Sequence, residues 1–305
     1  RPPATRRPPP ASALTHCTYM NYSCYRHMTQ WELAAPIALC SVATGVIGSL
    51  TGLGGGFILV PLLTLGFGID IRYAIGASLV AVIATSSGSA AAYVKQGFPN
   101  IRIGMFLEIG STVGALLGAF LAPFLPASAL AILFGFVLLH SAYHSLRAHE
   151  MRHPPGDSDR LANYLQLDST YPTSQGPVSY GVQHVLRGLF MMTVAGILSA
   201  LLGIGSGIVK VIALDRVMGL PFKVSTTTSN FMIGVTAAAS AGVYFGRGYI
   251  QPGLAMPVTL GVLGGAFLGG RILPGARTHR LRLLFSSVLV AVAGYMIYNG
   301  AAGRL

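Results

Sequence analysis

Between Glu32 and Asp70 the chain carries no charged side chain. A helix rises about 1.5 Å per residue and a bilayer's hydrocarbon core is about 30 Å thick, so about 20 apolar residues cross it. This run is too long for one crossing and long enough for two. Apolar segments continue along the chain, at 33 to 50, 53 to 69, 73 to 94, 103 to 122 and 127 to 146. A polar stretch at 147 to 183 follows, and then segments at 184 to 203, 205 to 219, 224 to 246, 253 to 270 and 281 to 298. Charged residues make up 9% of the sequence, against about 25% in a soluble domain. The short alternating strands of a membrane barrel are missing from the pattern. The expected fold class is an all-α polytopic membrane protein with about ten transmembrane segments.

The second five segments repeat the first at one offset, 151 residues. Gly52, Gly54 and Gly56 fall on Gly203, Gly205 and Gly207; Ser78 on Ser229; Tyr93 on Tyr244; Gly97 on Gly248. Arg72 meets Lys223, and Gly110, Gly114 and Gly118 meet Gly261, Gly265 and Gly269. A constant offset across four segments marks an internal duplication. Five crossings per repeat reverse the second copy in the membrane, which predicts two inverted-topology repeats. The expected organisation is a disordered or peripheral tail (1–32), a first repeat (33–146), a linker (147–183), a second repeat (184–298) and a C-terminal tail (299–305).

The net charge of +12 would suggest nucleic acid in a soluble protein; here it reads as topology information, and no nucleic-acid partner is expected. With ten alternating segments one side receives Lys95, Arg102, Arg147, Arg152, Arg160, Arg187, Arg216, Lys223, Arg271, Arg277, Arg280 and Arg282. The other receives Arg72, Arg247 and Arg304, plus four arginines of the N-terminal tail that run against the trend. The positive-inside rule places the linker in the cytoplasm and both termini outside.

Within the first uncharged run stands TGLGGGFILVPLL, Thr51 to Leu63. GLGGGF does not satisfy G-x-G-x-x-G, since Phe57 takes the last glycine's place, and no strand precedes it; a dinucleotide site is not expected. Each glycine costs a helix interior about 1 kcal/mol relative to alanine, so the cluster predicts a broken helix. Backbone N–H groups freed by a break inside a membrane must face a cavity, water or a ligand. The same break is expected at LLGIGSGIVKVIAL, Leu201 to Leu214. Two inverted breaks would aim helix amino ends at one central site and favour an anion there, whereas tight packing without a ligand is the alternative.

Candidate anion-binding residues follow: Gly54, Gly55 and Gly56 in the first break, and Gly205, Ser206 and Gly207 in the second. Lys210 stands three residues after Gly207 among apolar neighbours, where an unpaired charge costs at least about 2.5 kcal/mol. It requires an anionic ligand, a carboxylate or a water-filled path, unless it snorkels to an interface. The third segments add Ser78, Ser229 and Asn230, whose donors can orient anion oxygens or satisfy helix carbonyls. Glu108, in FLEIG, is the carboxylate well inside an apolar stretch. Its position early in the segment suits an interface, and proton coupling is its alternative role. His140, His144, His149 and His153 form no metal constellation, and no nucleophile and base pair stands out, so neither a metal, a cofactor nor an enzyme activity is expected. Gly110, Gly114 and Gly118, like Gly261, Gly265 and Gly269, make a groove along a helical face. Close packing inside each repeat is the expectation, with contact in a homodimer as the alternative.

GLGGGFILVPLL and GIGSGIVKVIAL, followed by AIGASL and TTTSN, resemble the TauE/SafE family of membrane proteins, also described as sulfite exporters. The resemblance covers roughly residues 33 to 298. It implies secondary export of a small anion, such as sulfite or a sulfonate like sulfoacetate, across a bacterial inner membrane. H+ or Na+ is the candidate coupling ion. The family-like positions are Gly52, Gly54, Gly55, Gly56 and Pro61, and Gly203, Gly205 and Gly207. Ser206 replaces the middle glycine, Lys210 falls inside the motif, and Ile212 stands where Pro61 would repeat. These departures imply an asymmetric pocket. A selective anion channel is the competing class, because inverted repeats with broken helices fit both.

Overall fold

The structure is a computed structural model that describes residues 30–51, 55–95, 97–146, 158–173, 176–272 and 278–303. Each expected apolar segment coincides with a helix. The first half contains α1 (Gln30–Thr51), α2 (Gly56–Pro61) running into a π-helical turn (Leu62–Gly66), α3 (Ile71–Lys95), α4 (Ile101–Leu121) and α5 (Ala127–Leu146). A linker with α6 (Arg160–Tyr164), β1 (Ser169–Thr173) and β2 (Gly176–Tyr180) follows. The second half contains α7 (Val185–Leu202), α8 (Gly207–Ile212) with its π-helical turn (Ala213–Val217), α9 (Phe222–Gly246), α10 (Pro252–Ile272) and α11 (Thr278–Ala301). Three described stretches are long and apolar enough to cross a membrane: Ile71–Gly88, Ile101–Phe124 and Val185–Leu202. Shorter apolar helices include Ala34–Gly48, Gly56–Gly66, Ala127–Tyr143, Pro252–Leu268 and Ser286–Ala301.

The duplication extends to single bonds. Gly56–Pro61 recurs as Gly207–Ile212, Leu62–Gly66 as Ala213–Val217, Ile71–Lys95 as Phe222–Gly246, and Ile101–Leu121 as Pro252–Ile272, every bound moved by 151. Positive φ angles recur at Gly55 (49°) and Ser206 (42°), Gly68 (63°) and Gly219 (72°), and Gly97 (73°) and Gly248 (75°). Ser206 is the informative member, because a side chain in this left-handed region costs about 1–2 kcal/mol and glycine normally occupies it.

The halves interlock by exchange. Helix α4 packs on α7 and α10 on α1, while α3 meets α9 and α5 meets α11. The glycine grooves make these contacts, so the expected packing inside each repeat is corrected to packing between repeats. A Cβ on Gly114 would stand 2.0 Å from Thr193 O, and one on Gly265 2.1 Å from Val42 O. The reverse faces match too, with Gly196 seated on Ser111 O and Gly45 on Val262 O. The small residues let backbones touch where lipid provides no hydrophobic drive.

Helix α4 serves as a ruler for the two sides. Its end binds cations: Arg72 Nη2 donates to Leu125 O (3.1 Å) and Arg247 Nη1 to Ala119 O (3.1 Å), satisfying carbonyls that a helix terminus leaves open. Its start is capped by Asn100, whose Oδ1 accepts from Ile103 N–H. Asn100 Nδ2 donates to Leu167 O (2.8 Å) and Tyr180 Oη (3.0 Å), tying the linker to that end. The linker's antiparallel β1–β2 hairpin departs from the all-α expectation. Its Leu167, Tyr180 and Val182 bury against Ile103, Leu107 and Met218, a local apolar core that repays the hairpin's ordering.

Candidate anion site and buried charge pair

Each half places a short helix behind a backbone break. α2 and its π-helical turn span eleven residues, about 17 Å at helical rise, against a core of about 30 Å. The turn after α2 leads to Arg72, at the far end of α4, whereas the turn after α8 ends at Met218, whose carbonyl accepts from Gln183 N–H beside the linker. The short helices thus run toward opposite ends of α4.

Their beginnings meet. A Cβ on Gly56 would stand 3.0 Å from Gly203 O, and Ser78 Oγ donates to that same carbonyl at 2.8 Å. Ser78 also reaches Gly56 O (3.4 Å), and its counterpart Ser229 donates to Gly207 O (3.2 Å). Both serines therefore tie the third helix of their half to the start of its short helix. Gly55 and Gly205 are buried at the breaks, Ser206 Oγ donates to Ala195 O (2.6 Å), and Asn230 is buried beside Ser229. Gly54 lies outside the described residues. A small pocket reaches the second break, lined by Ile204, Ser206, Gly207 and Val209 with Phe57 and Leu138 facing them.

Lys210 is fully buried rather than snorkelling. Of the partners left open by the sequence, the structure supplies a carboxylate: Nζ lies 3.5 Å from Glu108 Oε2. Glu108, expected near an interface, is itself only 6% exposed. Thr236, on α9, joins the pair. Lys210 Nζ donates to Thr236 Oγ1, and Thr236 Oγ1 donates to Glu108 Oε1 at 2.5 Å. Thr112 Oγ1 reaches the same carboxylate oxygen at 3.4 Å, and Ser111 Oγ lies 3.3 Å from Thr236 Oγ1. The sequence reading missed Thr236, Ser111 and Thr112. A signal for the last two existed: spacings of three and four from Glu108 put them on its helical face.

The sequence of this duplicated, apolar chain matches one known family over most of its length. The model of the family described as Sulfite exporter TauE/SafE covers residues 37–296. The chain belongs to this TauE/SafE family. Its relatives include "Probable membrane transporter protein YunE" of Bacillus subtilis, 28% identical over 87% of this chain and 97% of that protein. "Probable membrane transporter protein YdhB", also of Bacillus subtilis, is 28% identical over 77% of this chain and 88% of its own length. "Probable membrane transporter protein MJ0441" of Methanocaldococcus jannaschii is 26% identical over 83% and 91% respectively. No solved structure matches. As a TauE/SafE member the chain is a membrane transporter. Its exposed apolar faces, with Met105, Ile109 and Phe120 on α4 and Met256, Leu260 and Phe267 on α10, suit a lipid environment.

Proposed function

We propose that this TauE/SafE protein is a secondary transporter that exports a small sulfur-containing anion, sulfite or a sulfonate such as sulfoacetate, across the inner membrane by alternating access. The carrying observation is the meeting of the Gly56 and Gly203 breaks, with Ser78 bonded across them. Short helices that leave this meeting point toward opposite ends of α4 support an inverted pair of repeats, with the anion held between them near the midplane. Compact oxyanions suit convergent N–H and hydroxyl donors. In this reading Ser78 and Ser229 turn from their present partners and, with Asn230, orient the oxygens, and backbone N–H groups at Gly55, Gly56 and Gly205 to Gly207 face them. Lys210 supplies the balancing charge. Rocking of the halves changes access, coupled to H+ or Na+, and the anion's own outward gradient sets the direction. The excess of cations around the linker supports a cytoplasmic linker and extracytoplasmic termini.

The test is binding to the purified protein of sulfite, sulfoacetate, thiosulfate, sulfate, acetate and chloride, with Lys210→Gln alongside. Selective sulfur-oxyanion binding, weakened at least tenfold by the substitution, is the expected result. Equal response to every anion, together with electrical currents far above a carrier's turnover, would replace the transporter with a selective channel.

A further inference from the structure

The buried charge pair contains more than a structural role requires. Among the described residues, Glu108 Oε2 is buried without a hydrogen-bond donor, and Thr236 alone accepts from the Lys210 ammonium, which has three donors to offer. The ion pair at 3.5 Å is a charge contact with no direct hydrogen bond. A ligand with several anionic oxygens would satisfy this ammonium better than the carboxylate does. The constellation also occurs once. At the repeat-related positions stand Leu59 for Lys210, Thr259 for Glu108 and Thr85 for Thr236, so the other half carries no charge there.

The surroundings isolate the pair. Described charged groups on the neighbouring elements lie at helix ends: Arg102 on α4, Arg187 on α7, Lys223 and Arg247 bounding α9, and Asp215 and Arg216 in the second π-helical turn. Arg102, Arg187, Arg216 and Lys223 are exposed, and Arg247 is committed to α4 carbonyls. Glu108 and Lys210 therefore answer mainly to each other.

We propose that Glu108 is a built-in competitor for the anion at Lys210, and that its protonation admits one monoanion per proton. This rests on the transporter reading above. In the resting pair the two charges cancel. When Glu108 takes a proton from water, the carboxyl becomes neutral, remains hydrogen-bonded to Thr236, and leaves one unbalanced positive charge on Lys210. A monoanion bound there restores neutrality, so proton and anion cross together without net charge. Return of the empty carrier carries the neutral Glu108–Lys210 pair, which requires no ligand. An uncompensated charge would be costly to move through the protein interior, and both loaded and empty forms avoid it.

The experiment uses the full chain in detergent with methanesulfonate, which stays charged across neutral pH, and with sulfite. Calorimetry in two buffers of different ionisation enthalpy counts the protons taken up on binding. Wild type should take up about one proton per methanesulfonate, and its affinity should fall about tenfold per pH unit where Glu108 is ionised. Glu108→Gln should bind at least as tightly as wild type, with one proton fewer taken up and no pH dependence for methanesulfonate. For sulfite, the difference between the two proteins isolates the same proton from those the ligand carries. Binding by wild type without proton uptake would overturn the competition while leaving the transporter reading intact. A folded Glu108→Gln protein that loses binding would do the same, since the carboxylate would then assist the anion. Failure of both anions to bind wild type would remove the underlying reading and this proposal with it. Should Glu108→Gln not fold, the wild-type proton count decides alone.

Discussion

Replacing Lys210 with methionine keeps the length of the side chain and deletes its charge, leaving the Glu108 carboxylate buried without a counter-ion. At 3.5 Å and an effective dielectric of about 20, the lost attraction is about 5 kcal/mol. Breaking a buried pair from one side typically costs about 3–5 kcal/mol, because the orphaned charge remains desolvated. Removing both charges with groups of similar size is often close to neutral. The single variants Lys210→Met and Glu108→Gln should therefore each destabilise the protein, and the double variant should recover most of the loss. An unfolding entropy of about 2.1 cal/mol/K per residue makes each kcal/mol worth about 1.6 °C in a chain of 305 residues, so each single change should lower the melting temperature by roughly 5–8 °C. Thermal unfolding of the detergent-solubilised wild type, both singles and the double closes the cycle. Additive losses, with the double variant as unstable as the two singles combined, would refute a coupled pair. So would single variants within about 0.5 kcal/mol of wild type.

Two further outcomes test the breaks and the linker. A Cβ at Gly56 would lie 2.7 Å from Val82 Cγ2, 2.9 Å from Ser78 Oγ and 3.0 Å from Gly203 O, whereas Gly264 faces open space. Gly56→Ala should cost about 1–3 kcal/mol and weaken sulfite binding at least tenfold, while Gly264→Ala should leave binding within error and stability unchanged or raised by up to about 1 kcal/mol; equal losses would remove the special role of the break. In the linker, burial pushes the Tyr180 phenol above its ordinary value, opposed by its hydrogen bond to Asn100. The neutral phenol stabilises docking below about pH 10, and that contribution is lost as pH rises through the elevated folded value. The phenolate absorbance lost in Tyr180→Phe should develop above the ordinary tyrosine range of about pH 10, with faster proteolysis of the linker at that step. Ionisation of Tyr180 at or below the ordinary tyrosine range of about pH 10 would contradict the buried docking.

Much of the helical plan was legible along the chain. The short helices start at the glycine clusters because glycine weakens a continuous helix wherever it stands. The 151-residue offset anticipated segment order and paired Ser78 with Ser229 and Gly56 with Gly207; that each serine bonds its half's short helix came from the structure. Three features escaped. The hairpin at Ser169–Tyr180 carries two prolines, Pro172 and Pro177, and lacks a simple alternation of apolar residues, so it read as loop. The glycine grooves revealed close packing but not the partner, since a groove suits any apposed helix. Glu108 and Lys210 belong to different halves, and neither sequence neighbourhood names the other.

The sequence by itself determined the apolar segments, the duplication, the two breaks and the need of Lys210 for a partner, because hydropathy, glycine's helix penalty and the cost of a buried charge are local properties. The tertiary structure decided which partner it found. Exchange of α4 onto α7, together with the contact of α4 with α9, brings Glu108, Thr236 and Lys210 to one place. That convergence depends on how helices from two halves pack in three dimensions, which no single stretch of chain specifies.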